Sequence, residues 1–285
     1  MTKTFFAGMI LFFATTMLSA GDLYYIAHRG EYMTLPAEPA SKSRRGIIDA
    51  PEGTRPAFER VRDKQINAVK LDVQYTADNV IVISHDTNLQ RTTGRDLPIA
   101  KTRYEALKDV PFLKVGDFDE ERILTLDEAL AIVKDCPLFY LDFKTYSPEM
   151  MEAAFKTFAT HGVPREKIII ATFNRNALKG AMLSHPDVRR VLHVSYKEPE
   201  NFEAFKVQMR KWKAEMGLYG FNIPMSSPLT TPELVRELKA EGNWVTLWFG
   251  HSTDVADRFH DSDVDGFVTG MPSALRAYLE SKSEK

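Results

Sequence analysis

Cysteine is nearly absent from this sequence: Cys136 is the single one in 285 residues. That excludes an intrachain disulfide and a cysteine-built zinc site, so the fold must be held by its core. An excess of charge of either sign is missing as well. With a formal net charge of −2 and a pI of about 6.4, the basic footprint of a nucleic-acid binder is not there. Long hydrophobic runs are also lacking. The run from Phe5 to Leu18 is short for a bilayer span. With Lys3 before it and Ser19-Ala20 after it, it has the pattern of a cleaved secretory leader. Position 21 is glycine, so no lipid-bearing cysteine stands at the cut. The expectation is a leader over residues 1–20, export to the periplasm or beyond without a stable membrane anchor, and one domain over residues 21–285.

What is present is an alternation of strand and helix patterns. Apolar runs centred on Ile26, Leu71, Phe139, Ile169, Leu192, Phe221, Leu247 and Val268 read as strands. Helical stretches stand between them: Arg55–Lys64 with Thr54 as N-cap, a helix capped by Thr125, then Pro148–His161, Arg175–Leu183, Glu198–Met216, Pro232–Ala240 and Val255–His260. The gap between Val73 and Val80 is too short for a crossover, so Val80–Ser84 must return antiparallel as a hairpin. Eight parallel βα units in a chain of this length predict an α/β fold, a TIM-type (β/α)8 barrel with a β-hairpin and small insertion after the second strand. An open doubly wound sheet is the alternative, but no glycine-rich phosphate turn follows the first strand. Glu31–Asp49, with the basic cluster Lys42, Arg44 and Arg45, breaks periodicity and reads as a loop inserted near the mouth.

Chemistry-bearing side chains gather at the carboxyl ends of the expected strands, where barrels of this kind keep their active sites. The densest stretch runs from Val69 to Gly94. Lys70 and Asp72 share one face of its first strand, Val69, Leu71 and Val73 share the other, and the hairpin partner delivers His85 and Asp86. The first strand ends in His28-Arg29, the next turn brings Glu52, the Phe139 strand brings Asp142 and Lys144, and a late strand ends at Trp248. Two histidines in one mouth suit general acid–base catalysis near neutral pH. Arg29 and Lys144 suit a phosphate. Asp72 with Asp142 suits a hard cation such as Mg²⁺ or Ca²⁺. Together these parts describe phosphate-ester cleavage of a small-molecule phosphodiester. Asp86 reads as a residue that orients its neighbour, and His161, His185, His251 and His260 as surface residues.

The same residues carry a resemblance. I-A-H-R-G, A-P-E-G-T, L-D-V-Q-Y-T-A-D-N-V-I-V-I-S-H-D and R-T-T-G, followed in order by L-D-F-K, V-T-L-W-F and D-G-F-V-T-G-M-P, resemble the glycerophosphodiester phosphodiesterase family over nearly the whole chain beyond the leader. The resemblance implies a TIM-type barrel with a small insertion and hydrolysis of glycerophosphodiesters to glycerol 3-phosphate and an alcohol, usually with a divalent cation. It implies catalytic roles for His28 and His85, a phosphate-binding Arg29, and substrate-side roles for Glu52 and Lys144.

The chain departs from that family at the cation site. The Glu-x-Asp of the second strand is here Lys70-Leu71-Asp72, and the glutamate before the later lysine is Asp142. The middle residue of the family's E-N-T turn is Gly53, and the aspartate of its I-I-T-D motif is Gly270. A lysine beside a divalent ion costs about 4 kcal/mol at roughly 4 Å and an effective dielectric near 20. Lys70 is therefore expected to pair with Asp72 and Asp142, its charge standing where a metal's would. In the bacterial phosphatidylinositol phospholipase C family, which this arrangement resembles, a basic side chain takes over the cation's role. Two other readings remain open here: a phosphodiesterase for an inositol or sugar phosphodiester, and a non-catalytic barrel that binds without turnover.

Overall fold

Strands that alternate side chains between a closed interior and a jacket of helices dictate the architecture. The computed structural model describes residues 23–35, 46–195, 201–248, 252–259 and 261–283. The leader expected over residues 1–20, the basic cluster Lys42, Arg44 and Arg45, and His251 and His260 lie outside the described residues. The strands are β1 (Tyr24–His28), β2 (Met33–Thr34), β3 (Ile47–Ile48), β4 (Ala68–Tyr75), β5 (Ile81–Ile83), β6 (Phe139–Phe143), β7 (Ile168–Thr172), β8 (Arg189–His193), β9 (Gly220–Pro224), β10 (Trp244–Trp248) and β11 (Gly266–Thr269). The helices are α1 (Arg55–Asp63), α2 (Gln90–Thr93), α3 (Tyr104–Leu107), α4 (Leu126–Val133), α5 (Pro148–Thr160), α6 (Arg175–Ser184), α7 (Phe202–Met216), α8 (Pro232–Ala240), α9 (Thr253–Asp257) and α10 (Pro272–Ser283).

Among the described residues, eight parallel strands follow one another round the ring in the order β1, β11, β10, β9, β8, β7, β6, β4, and β4 pairs back onto β1. The barrel is closed, as expected from the spacing of the strands. One strand departs from the regular pattern. β4 is eight residues long, and β1 pairs only with its first half, Ala68 to Lys70. Its second half, Val73 to Tyr75, rises past that edge and takes β5 as an antiparallel partner. The hairpin thus stands on the rim instead of in the barrel wall. The chain beyond it, through α2 and α3, folds round a small core of Val82, Leu89, Ile99, Leu107, Phe112 and Ile123. This is the insertion that the sequence led us to expect after the second strand.

The two faces of each strand bury different things. Outward side chains such as Val69, Leu71, Val73, Phe139, Leu141 and Phe143 join the large core beneath the helices. Inward side chains such as Tyr24, Ile26, Ala68, Tyr140, Val191 and Trp244 fill the barrel. Thr125 forms a full capping box with Glu128 at the start of α4. Thr54 does not cap α1; its hydroxyl donates to the Pro51 carbonyl instead (2.7 Å). The inserted segment after β1 is more than a loop, because β2 and β3 pair antiparallel. His185, read as a surface residue, is buried, with its ring 4.6 Å from that of Phe155 and its Nε2 3.1 Å from Glu152.

Candidate active site

The carboxyl ends of β1, β4, β6 and β10 and the rim hairpin bring the expected residues to one mouth. At the end of β1 the chain turns sharply at Arg29 and Gly30, both with positive φ (61° and 81°). For arginine this is a strained conformation, tolerated where the surroundings fix it. Glycine is needed next to it, because a Cβ on Gly30 would lie 2.7–2.8 Å from atoms of Ala57 in α1. The turn sets Arg29 Nη1 against both Glu52 oxygens, at 2.8 and 2.9 Å. Arg29 Nε is buried without a hydrogen-bond partner.

His85 enters from the other side. Its ring centre lies 6.3 Å from that of His28, edge to face. His85 Nδ1 meets Asp86 Oδ1 at 2.7 Å. A carboxylate only accepts, so Nδ1 carries the proton and Nε2 keeps its lone pair. Burial holds the imidazole below its ordinary value, partly offset by the charge of Asp72. Arg91 ties the two sides together, with Nε 2.5 Å from Asp86 and Nη2 2.5 Å from Glu52. Gln74, in phase with Lys70 and Asp72 on β4, donates to the carbonyls of Ser84 and Asp86 at 2.8 and 2.7 Å, which pins the hairpin that carries His85.

Between the histidines and the barrel floor sits a cluster of four charges. The register Asp72↔Asp142 between β4 and β6 puts the two carboxylates side by side. Lys70 Nζ contacts Asp72 and lies 2.7 Å from Asp142, while Lys144 Nζ lies 3.0 Å from Asp72 and 2.8 Å from Asp142. Lys70, Asp72 and Asp142 are almost wholly buried, at 3%, 1% and 1% exposure. Burial opposes every charge here, but the neighbours decide most of them. The two lysines outweigh burial and hold both carboxyls below their usual range, Asp142 by far the more. Both carboxylates outweigh burial at Lys144 and raise its ammonium, whereas at Lys70 burial prevails and lowers it.

This donor set does not fit a divalent cation. Two ammonium groups already neutralise the two carboxylates and sit on one oxygen of each, and no group of three or more His, Cys, Asp or Glu suited to a metal occurs among the described residues.

Two aromatic side chains border the mouth. Trp248 donates its indole N–H to the Val194 carbonyl at 3.2 Å and packs edge to face with Phe173, 5.8 Å between centres. Phe173 is nearly half exposed, and its ring also lies 5.1 Å from that of His193. His193 and Gln74 are the site residues that sequence reasoning passed over. Each shares the inward phase of its strand with residues that were recognised or that line the interior, and that phase is the only signal that marks them.

Comparisons with known proteins give the family and the fold. Residues 28–274 match the model of the glycerophosphoryl diester phosphodiesterase family. A glycerophosphodiester phosphodiesterase of Caldanaerobacter subterraneus is 27% identical over 258 residues, covering 88% of this chain and 95% of that protein. Two solved structures share the fold. A phosphodiesterase of Oleispira antarctica in complex with the product sn-glycerol-3-phosphate has a TM-score of 0.69 at 23% identity, over 90% of this chain and 96% of that one. A glycerophosphodiester phosphodiesterase of Thermotoga maritima has a TM-score of 0.64 at 19% identity, over 90% and 99%. The chain belongs to the glycerophosphoryl diester phosphodiesterase family, a family of phosphoric diester hydrolases.

Proposed function

We propose that the protein hydrolyses glycerophosphodiesters to glycerol 3-phosphate and an alcohol, with His28 and His85 as the acid–base pair and ammonium charge in place of a divalent cation. The observation that carries this reading is the bridging of Asp72 and Asp142 by both Lys70 and Lys144 directly beneath the facing histidines. The product bound in the Oleispira antarctica relative supports the choice of substrate.

On this reading His85 Nε2 takes a proton from the attacking water as the new P–O bond forms. Asp86 holds the ring in the required tautomer and stabilises the imidazolium. His28 delivers a proton to the leaving ester oxygen as its bond to phosphorus breaks. Arg29 and the Lys70–Lys144 pair stabilise the charge that builds on the phosphoryl oxygens. The unpartnered Arg29 Nε is a donor that a phosphate oxygen would satisfy. Trp248 borders the substrate. Export through the leader-like residues 1–20 belongs to the same proposal, and a mature N-terminus near residue 21 would support it.

The deciding experiment is cleavage of glycerophosphocholine with and without EDTA. Activity should survive the chelator and disappear in His28→Ala and His85→Ala. Full loss in EDTA with recovery in Mg²⁺ or Ca²⁺ would sink the ammonium reading and leave the reaction class standing.

A further inference from the structure

A line of buried side chains crosses the barrel interior beneath the charge cluster, and its hydrogen bonds run in one direction from a group that can only donate. Trp244 Nε1, which can only donate, lies 2.6 Å from the Tyr140 hydroxyl. The Tyr140 proton is thus free to go onward, to Thr246 Oγ1 at 3.3 Å. Thr246 in turn donates to Asn222 Oδ1 at 3.0 Å, which fixes the amide with its nitrogen on the far side. That nitrogen donates to His193 Nδ1 at 2.9 Å. A ring nitrogen that accepts carries no proton, so the proton of neutral His193 is on Nε2. Nε2 faces Asp142 Oδ2 at 3.5 Å, a polar contact longer than the hydrogen bonds before it. The line begins at a group that only donates and ends at one that only accepts. Every member except Trp244, which is 7% exposed, is 3% exposed or less, so water does not compete for these bonds.

We propose that His193 is a positioning residue of the active site: the interior hydrogen-bond line fixes its Nε2–H tautomer and aims that donor at Asp142, the carboxylate on which both ammonium groups rest. Nε2 faces Oδ2, the same oxygen that both lysines contact, while Oδ1 has no hydrogen-bond partner. A neutral donor turned to that lysine-bound oxygen restrains the carboxylate without adding a third positive charge. Phe173 closes the remaining side of the imidazole. The inference rests on the proposed function only where it assigns the Asp142 cluster to the reaction. The tautomer follows from the direction of the hydrogen-bond line and is independent of the reaction.

Two measurements test it. In ¹⁵N-labelled unliganded protein near neutral pH, long-range proton–nitrogen spectra should show His193 protonated at Nε2 and bare at Nδ1. Thr246→Val, which frees the Asn222 amide to turn, should give a mixture of tautomers. Protonation of wild-type Nδ1, alone or with Nε2, overturns the inference. In glycerophosphocholine turnover, His193→Phe should lower kcat about 10- to 100-fold with KM little changed, the scale expected when a reacting group is misplaced. His193→Gln, which keeps a donor at the Nε2 position, should recover to within about 3-fold of wild type on the same argument. Equal loss in Gln and Phe variants of matched melting temperature, or full activity in the Phe variant, also overturns it. Should His193→Phe fail to fold, the tautomer and the Gln variant still decide. A wild type that cleaves no glycerophosphodiester refutes the proposed function, while the tautomer result still judges the line.

Discussion

Lys70 carries the sharpest consequence at the scale of a single residue. Two ammonium groups balance two carboxylates in a nearly dry cluster, so changing the sign at position 70 leaves an acidic pocket with one lysine. A glutamate plus a divalent cation carries the same total charge as one lysine. Lys70→Glu should therefore create a cation site that the wild type lacks. Its melting temperature should rise with added Ca²⁺ or Mg²⁺ by the increment that about 2.7 kcal/mol gives at a hundredfold excess over Kd. The wild type should not respond, and a scan of melting temperature against cation concentration checks both. His85 gives a second expectation. Burial lowers its pKa, so the basic form persists below the ordinary histidine range and the acid limb of kcat/KM should lie below about 6.5. The Asp86 carboxylate favours the charged form, so Asp86→Asn should push that limb lower still while cutting kcat/KM by about 10²–10⁴-fold. A limb that moves upward contradicts this assignment.

At the scale of elements, the long strand β4 decides how the site is built. Its first half closes the barrel and its second half holds the hairpin, with Gln74 donating to two hairpin carbonyls from inside. Gln74→Leu removes both donors and leaves two acceptors without these partners, an expected loss of about 1–3 kcal/mol per acceptor left unsatisfied. Activity should fall further than stability, because His85 rides on the freed segment; urea unfolding and kcat on the same variant separate the two. Much of this was legible in the sequence. Alternation put Lys70 and Asp72 on one face, and the short gap after Val73 forced a hairpin. What stayed hidden depends on register between distant strands. His193 sits in Arg-Arg-Val-Leu-His with no motif round it, and its neighbours Asn222 and Asp142 reach it only through the pairing of β8 with β9 and the run of the sheet from β6 through β7 to β8. β2 and β3 have two residues each, too few for any periodicity to show. Thr54 has the residue type of a helix cap but gives its proton to the Pro51 carbonyl, a choice that local sequence does not encode.

At the scale of the whole molecule, the two proposed catalytic histidines belong to parts of unequal robustness. His28 ends a strand that is paired on both sides within the closed ring. His85 follows a three-residue strand on the rim, whose Val82 packs on a small separate core while Ile81 and Ile83 reach the edge of the large one. Segments of that kind open locally at lower free energy than the barrel around them. Heating should therefore abolish turnover at temperatures where far-ultraviolet circular dichroism still reports an intact barrel. Hydrogen exchange over Ile81–Thr93 should accelerate ahead of exchange over β6 and β7. Coincident midpoints for activity and unfolding would contradict this. The rim hairpin thus sets the working temperature of the enzyme, and the barrel sets only the temperature at which the chain comes apart.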